Sequence, residues 1–338
     1  MQIVDLVPDL RPTILAARQA RDARNTLARF LPNTPVASVS YRLGRRRRLD
    51  QTVPVRAIDA PATPIRRPGL IEVRGELPAI TPIVNLSEQD LTQEMILARQ
   101  LAGLAVDYQD PVDASAAIAA LTIDNTLESM RGQVLSKGAI SLVTDDGATH
   151  EVDFGVPEGQ LMTVAAPWNA AGAGDEFTDL KAAHGVFKDA FGDSAGLILT
   201  TDAVYAHLLN ALQGMYPQQP IGDAQLTAYL ANNRLPRIET YDRRLKNEDG
   251  SSTRVYPEGT LTFLPSAGDP VGRTELGITQ EAVQQVQRRI LVAAEAPGIT
   301  VVTLGSDNPV QRAVKGAAIG MPVLQDIDAI VVLDGIFG

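Results

Sequence analysis

The sequence predicts an α+β fold, and three observations indicate this class. Apolar residues at helical spacing run through residues 111–137, which is typical of one long helix. Short segments in which apolar and polar residues alternate lie before and after it, as expected of half-buried strands. Helices and strands follow one another without a regular βαβ order, which argues against a parallel α/β fold.

The long helix has clear boundaries and one apolar stripe. Asp110 is placed to cap it, Pro111 takes the first helical position, and Lys137-Gly138 ends it. At a rise of 1.5 Å per residue it would be about 39 Å long, a spine for the rest of the chain. The positions predicted to form its core are Ile123, Leu127, Met130 and Val134.

The flanking segments predict shorter elements. Ser87 and Asp90 have the spacing of a capping box, so a helix is expected from there to about Ala102. Alternation on both sides of Asp145-Asp146-Gly147 predicts a β-hairpin over 139–154, and residues 157–175 are predicted to be a loop. A turn at 247–250 is expected to join strands at 238–243 and 252–256. Other helices are predicted at 180–191, 202–213 and 223–231, and other strands at 196–200, 261–264 and 327–333.

A basic, proline-rich segment over residues 33–82 is the most unusual part of the chain. Nine arginines and four acids between Val36 and Pro82 give it a net charge of +5, whereas the whole chain carries −10. It alternates like a hairpin, has too few large apolar residues for a core of its own, and its prolines suit exposed edge strands. We therefore expect it to lie on an acidic partner, such as another copy of this chain. The arginines predicted to make that contact are Arg42, Arg45, Arg46, Arg47, Arg48, Arg56, Arg66 and Arg67.

Two other roles stay open for the arginine block at residues 45–48. The block could form a solvated loop tip, or it could contact nucleic acid. Proteins that bind single strands interleave aromatic residues with their basic ones, and this block has none. The acidic remainder of the chain favours contact between subunits. Complementary patches that meet head to tail generate rings or shells.

The sequence contains no recognisable catalytic, cofactor-binding or metal-binding pattern. It has no cysteine, no phosphate-binding loop and no nucleophile elbow. The histidines His150, His184 and His207 are expected at surface or packing positions. The sequence therefore predicts that the chain is not an enzyme.

Three acidic or glycine-rich patterns have two interpretations each. Asp124 and Glu128 lie four residues apart on one helix face, where an exposed flank is favoured over acid–base work. Asp145-Asp146-Gly147 is interpreted as a turn rather than a cation site. The run at 170–174 is interpreted as a linker rather than a phosphate loop.

Residues 1–32 predict an N-terminal arm. An amphipathic helix with Leu10, Ile14, Ala17 and Leu27 roughly on one face is expected to end before Pro32. It is expected to pack on a neighbour or on the flank of the body. No apolar run is long enough to span a bilayer, and no signal peptide is expected.

Four short stretches carry a resemblance to a known family. They are MRGQVLSKG (130–138), HEVDFG (150–155), GTLTFLP (259–265) and GMPVLQDIDAIVV (320–332). Together with the order of arm, basic hairpin, long helix and mixed region, they resemble the major capsid proteins of tailed phages, which have the Hong Kong 97 fold. More narrowly, the chain resembles the lambda-type coat protein E family.

The resemblance implies a division of the chain and a function. The implied parts are an N-terminal arm (1–32), an extended hairpin called the E-loop (33–86), a P domain (87–178) with the spine helix (111–137) and a hairpin (139–155), a mixed α/β A domain (179–318) and a returning C-terminal strand (319–338). The implied function is a major capsid protein that assembles through pentamers and hexamers into the icosahedral head of a tailed double-stranded-DNA bacteriophage.

The resemblance also implies partners. About thirty residues precede the E-loop, too few for a built-in scaffolding domain, so a separate scaffold protein is implied. A portal, an optional decoration protein and enclosed DNA bound without sequence specificity complete the set, with assembly in the host bacterial cytoplasm and no membrane partner.

Three other functions stay open on the sequence. An encapsulin-like compartment shell would share the fold. Another phage structural protein, such as a tail tube or adaptor, would give tubes or rings. An enzyme that uses carboxylates such as Asp124 and Glu128 is the third.

Overall fold

The computed structural model describes residues 11–46, 70–101, 111–143, 147–170, 176–247, 249–266, 269–288, 298–307 and 310–337. Within them helices and short strands follow one another irregularly, which confirms the α+β class. No helix in these ranges is long and apolar enough to cross a membrane.

The helices comprise one long helix and several shorter ones. They are α1 (Arg11–Asp22), α2 (Glu88–Leu101), α3 (Pro111–Lys137), α4 (Glu176–Phe191), α5 (Asp202–Met215), α6 (Asp223–Asn232) and α7 (Gln280–Gln287). The spine helix α3 has the predicted bounds and 27 residues. It ends where Gly138 adopts a positive φ of 66°, a conformation that favours glycine at the end of a helix.

The strands form two larger sheets and three hairpins. They are β1 (Asn33–Pro35), β2 (Ser40–Arg46), β3 (Leu70–Glu76), β4 (Ala79–Ile80), β5 (Ile83–Leu86), β6 (Ala139–Val143), β7 (Thr149–Asp153), β8 (Leu161–Thr163), β9 (Leu197–Thr200), β10 (Arg237–Thr240), β11 (Arg244–Lys246), β12 (Ser252–Arg254), β13 (Leu261–Leu264), β14 (Gly272–Leu276), β15 (Thr300–Asp307), β16 (Val310–Leu324) and β17 (Val331–Asp334).

The first sheet is organised by the 15-residue strand β16. It pairs antiparallel with β15 along its first half and with β14 along its second half, and β1 joins β14 in parallel. The short strands β4 and β5 also pair with β16. The spine helix packs on this sheet, and Val314 of β16 is fully buried with Ala116 of α3.

The second sheet has the order β10-β9-β13-β17-β8. Its two outer pairs are parallel and its inner pairs are antiparallel. All residues of β9 and β13 are buried, which explains why their sequences are short apolar runs without alternation. Helices α4, α5 and α6 contact this sheet, and α3 contacts it as well as the first sheet, so the spine joins the two.

Three two-stranded hairpins, β2–β3, β6–β7 and β11–β12, pair with neither sheet within the described residues. The predicted hairpin after the spine is present as β6–β7. The turn at 247–250 joins β11 to β12, whereas β10, predicted as part of that hairpin, pairs in parallel with β9. The prediction of a strand over 238–243 was therefore wrong beyond Thr240.

Two other segments differ from their predictions. The predicted loop 157–175 contains β8, which pairs with β17 through contacts that lie far apart in sequence. The predicted strand 327–333 begins with a 3-10 turn at Ile327–Ala329 and becomes extended only at Val331. The buried side-chain amide of Gln160 links the two segments, because it donates to the carbonyls of Ile327 and Ile330.

The N-terminal segment packs on its own chain. Helix α1 contacts α3, and the following residues Leu27, Phe30 and Leu31 are fully buried in the main core. Of the two placements predicted for the arm, the described residues show the flank of the body. The expected boundary between residues 318 and 319 falls inside β16, a single continuous strand.

Candidate assembly surfaces

The basic hairpin β2–β3 is fixed to the body at its base. Tyr41 is 5% exposed and Leu77 is 7% exposed, and both belong to the main core. A Cβ at Gly75 would lie 2.5 Å from the Tyr41 ring, so glycine is required for the ring to cross the strand there. Leu77 N–H donates to the Val39 carbonyl at 2.9 Å and closes the base. The direction in which the hairpin leaves the body is therefore set by buried contacts.

The predicted contact arginines fall into two groups. Arg42, Arg45 and Arg46 lie on β2, where their backbones pair with Arg74, Ile71 and Leu70 of β3. The remaining arginines, Arg47, Arg48, Arg56, Arg66 and Arg67, lie outside the described residues. Arg42, Arg45 and Arg46 therefore lie on the same strand of the hairpin.

The four spine residues that were predicted to face the core are buried. Ile123, Leu127 and Val134 are fully buried and Met130 is 7% exposed. Burial extends beyond this stripe, because Ser115, Ala117, Ala120, Gly132, Leu135 and Ser136 are buried too. Both sheets and α1 surround the helix, so most of its circumference is covered.

A buried polar cluster centres on Glu128 of the spine. Its Oε1 accepts from the Leu27 backbone N–H at 3.1 Å and from the Tyr241 hydroxyl at 2.8 Å. Its Oε2 forms an ion pair with Arg131 at 2.9 Å, and Arg131 also donates to Thr274. The cluster ties the N-terminal segment, the spine and both sheets together.

Asp124 closes a second link one turn earlier. Its carboxylate accepts from Arg18 of α1 through two nitrogens, at 2.8 and 3.2 Å. Asp124 is 5% exposed and Glu128 is 0% exposed, so the prediction of an exposed flank was wrong. The reason is that α1 and the 25–31 segment cover this face of the spine. Both carboxylates are occupied by cations and donors, which leaves no free pair for acid–base work.

Electrostatics around the cluster keep Tyr241 neutral. Burial, followed by the adjacent Glu128 carboxylate, raises the pKa of the Tyr241 hydroxyl far above its usual value. The hydroxyl therefore stays protonated at neutral pH and donates to Glu128. This is the behaviour of a structural hydrogen bond and not of a titrating catalytic group.

The three histidines take surface and packing positions, as predicted. His150 is exposed on β7. His184 is buried, stacks on Phe263 and lies 3.0 Å from the Ser194 hydroxyl, and burial lowers its pKa. His207 stacks on Trp168 and contacts Glu176. Across the described residues, no three His, Cys, Asp or Glu side chains cluster as metal ligands would.

An open groove of about 430 Å³ lies at the end of the first sheet. Its floor includes Ala313 and Leu304, and one wall is the first turn of α2. Ser87 and Asp90 cap that turn reciprocally, which confirms the predicted capping box, and these hydrogen bonds lower the pKa of Asp90. The polar groups of the wall thus already have partners within the chain.

Sequence reasoning missed the buried cluster and the long β15–β16 pair. Arg18 and Tyr241 reach the spine carboxylates from positions 106 and 113 residues away along the chain, and Arg131 is a buried residue of the spine itself. The spacing of residues along the local sequence does not predict such contacts. The one available signal was the pair Glu128 and Arg131, whose i, i+3 spacing on a helix permits an ion pair.

Comparison with known proteins gives a consistent result. A family model described as phage major capsid protein E matches residues 23–334. No curated relative matches the chain. Among solved structures, the fold is similar to a candidate capsid protein of a prophage in E. coli CFT073, with a TM-score of 0.59, 10% identity, and coverage of 96% of this chain and 98% of that one.

Two further structures share the fold at similar coverage. A phage-related protein from Bordetella bronchiseptica RB50 has a TM-score of 0.55 and 13% identity, over 96% of this chain and 97% of that one. A virus-like particle from Pyrococcus furiosus has a TM-score of 0.51 and 13% identity, over 96% and 98%.

Proposed function

This chain belongs to the phage major capsid protein E family and is a shell-forming coat protein, and from that premise we propose that it assembles through pentamers and hexamers into the icosahedral head of a tailed bacteriophage. The observation that carries the proposal is the family match over residues 23–334, on a capsid-like fold. The head encloses double-stranded DNA and forms in the host cytoplasm. Family membership also favours a shell over a tail tube or adaptor.

The E-loop makes the contact between neighbouring subunits in this proposal. Its arginines meet acidic side chains of the next subunit, and free strand edges extend the neighbour's sheet through main-chain hydrogen bonds. The buried base at Tyr41 and Leu77 supports this role, because it fixes the hairpin to its own subunit. Each exposed ion pair contributes about 0–1 kcal/mol, so stability comes from many repeated contacts.

The chain acts by assembly and not by catalysis. The carboxylates Asp124 and Glu128, the candidates for acid–base work, are buried in ion pairs that hold the subunit together. A separate scaffold protein, a portal and an optional decoration protein act with it. The net charge of −10 supports enclosure of DNA without tight binding, since DNA is held mainly by cationic groups.

The experiment is the assembly state of the purified chain, with and without a co-expressed scaffold. Sedimentation and negative-stain electron microscopy are expected to show shells, or rings of five or six subunits. A compact monomer or dimer under both conditions would contradict the proposal. Shells that hold a protein cargo and no nucleic acid when isolated from their natural host would indicate a compartment shell instead.

A further inference from the structure

The groove at the end of the first sheet has binding groups that the described residues leave unused. Leu304 is 47% exposed, and it lies beside Ala313 in the ladder between β15 and β16. Arg312 is also exposed at the groove, and in the part of the chain that the structure describes no acid or other acceptor holds its guanidinium. Asp90, by contrast, accepts from the Ser87 N–H and hydroxyl. The groove therefore offers an apolar floor and an unpaired cation to a further group.

The first helix begins at the same end of the spine as the groove. Ile14 of α1 packs on the buried cluster that includes Ala116 of the spine, and the groove residue Leu86 packs on the same cluster. One turn later in α1, Arg18 binds Asp124, which lies about two turns further along the spine. Helix α1 therefore runs in the same direction as α3, and its first residue, Arg11, points back toward the start of the spine.

The contact between spine and sheet gives the direction of the strand that carries the groove. Val314 of β16 is buried with Ala116, and a Cβ on Gly316 would lie 3.3 Å from the Ala119 carbonyl oxygen. Strand β16 therefore runs in the same direction as the spine, so Arg312 lies toward the start of α3. The beginnings of α1 and α3 and the groove consequently share one end of the first sheet.

The residues that precede α1 have a composition that complements the groove. Residues 1–10 lie outside the described ranges and read MQIVDLVPDL. Both of their charged side chains are acidic, at Asp5 and Asp9. Ten extended residues span up to about 33 Å, which is ample for a groove at the same end of the sheet. Six large side chains of the segment gain free energy on leaving water. They are Met1, Ile3, Val4, Leu6, Val7 and Leu10.

We propose that residues 1–10 dock in this groove of their own subunit, with apolar side chains on Leu304 and Ala313 and a carboxylate at Arg312. The N-terminal segment is then a strap across the end of the first sheet. A short tether holds the segment near the groove at roughly millimolar effective concentration, which favours it over the same segment of another copy. The inference goes beyond the proposed function and does not depend on shell formation. The same segment of a second copy, and a separate protein, are the other occupants that the experiment distinguishes.

Disulfide trapping in the full chain tests the contact, since the chain has no natural cysteine. One variant carries Leu6→Cys with Gln311→Cys, and a second carries Ile3→Cys with Asn85→Cys. Gln311 and Asn85 are exposed residues of the groove, and their replacement leaves its floor and Arg312 in place. The matched control combines Leu6→Cys with Gln219→Cys, because Gln219 is exposed in the loop after α5.

The readout is the rate at which an intramolecular disulfide forms under mild oxidation. Both groove pairs are expected to close at least ten times faster than the control pair, as measured by non-reducing electrophoresis and peptide mass spectrometry. Covalent dimers without the intramolecular product would place the segment on a second copy and overturn the proposal. Closure no faster than in the control would also overturn it, because the groove is then left to a separate protein or stays open. Circular dichroism of the reduced variants checks that each one folds.

Charge reversal tests the role of Arg312 in the same experiment. Arg312→Glu, added to the variant with cysteines at positions 6 and 311, is expected to slow closure at least threefold. Arg237→Glu replaces an exposed arginine of β10 and is expected to leave the rate unchanged. Asp5→Lys with Asp9→Lys is expected to restore fast closure to the Arg312→Glu variant, because the charges are complementary again. Equal rates for the two arginine variants would show that Arg312 does not hold the segment.

Discussion

Glu128 is the residue at which the contacts between distant parts of the subunit converge. It holds the Leu27 backbone, the Tyr241 hydroxyl and the Arg131 guanidinium while fully buried. Replacing Glu128 with glutamine leaves the Arg131 charge buried without a counter-ion. Breaking a buried ion pair in this way costs about 3–5 kcal/mol. We expect the free energy of unfolding of the subunit to fall by that amount in urea denaturation.

The control is a carboxylate whose ion pair is partly exposed. Glu281 binds Lys315 with side chains 24% and 31% exposed, so Glu281→Gln should cost at most about 1 kcal/mol. Equal losses for the two variants would contradict the central role of Glu128.

The pair Glu281 and Lys315 also predicts a pH dependence. The hydrogen bond from Lys315 lowers the pKa of Glu281 below its ordinary value of 4.5. A lowered pKa in the folded state means that the pair stabilises the fold above the unfolded pKa and loses that contribution as the pH falls below it. The difference in unfolding free energy between wild type and Glu281→Gln should therefore shrink from pH 7 to pH 3. A difference that grows toward low pH would contradict this sign.

Replacement of glycine by alanine is expected to have opposite effects on stability at two helical positions. A Cβ at Gly132 of the spine would lie 1.9 Å from the Val255 carbonyl oxygen, whereas a Cβ at Gly185 of α4 meets nothing within 4 Å. Gly132→Ala should destabilise the subunit by about 1–3 kcal/mol, because a backbone atom cannot rotate away. Gly185→Ala should stabilise it by up to about 1 kcal/mol, since alanine favours helix. Thermal unfolding of both variants, compared with the wild type, measures the two signs.

At the scale of elements, the E-loop is expected to matter for assembly and not for folding. Arg45 and Arg46 lie on β2 beyond the buried base formed by Tyr41 and Leu77, and Arg47 and Arg48 follow them in the sequence. Replacing Arg45, Arg46, Arg47 and Arg48 with serine should therefore block shell formation while the melting temperature of the subunit stays unchanged. Sedimentation and calorimetry give the two readouts.

The control for this element removes exposed arginines outside the E-loop. Arg237→Ser with Arg288→Ser also lowers the positive charge but leaves the hairpin intact. Normal shells from the E-loop variant, or loss of shells in the control, would show that the E-loop arginines have no special role.

At the scale of the whole molecule, assembly is expected to depend on salt. In the proposed assembly the basic E-loop of one subunit attracts acidic side chains of another, and salt screens exposed charges beyond about 8 Å at physiological ionic strength. Newly formed, loosely packed shells should therefore lose more material at raised salt than matured shells, in which contacts are buried. Light scattering of both shell forms over a series of NaCl concentrations measures this. Equal losses would mean that charge does not drive the early contacts.

Features that depend on neighbours along the chain can be predicted from the amino-acid sequence. Pro111 and Gly138 bound the spine, Ser87 and Asp90 cap α2, and alternation around Gly147 forms β6–β7. These signals act within a turn of helix or across one hairpin, so they can be read without the fold. The opposite charges of the 36–82 segment and the remainder are likewise a property of the sequence.

Which distant segments meet depends on how the whole subunit folds. The sequence predicts an exposed flank for Asp124 and Glu128, but in the folded subunit α1 and Tyr241 cover them. Likewise β8 is a strand because β17 pairs with it, and β10 lies beside β9 rather than in the hairpin that the turn suggested. Such contacts depend on packing between residues far apart in the chain. Local propensity and spacing carry no information about them, because the partner that satisfies each buried charge or backbone group is absent from the local sequence.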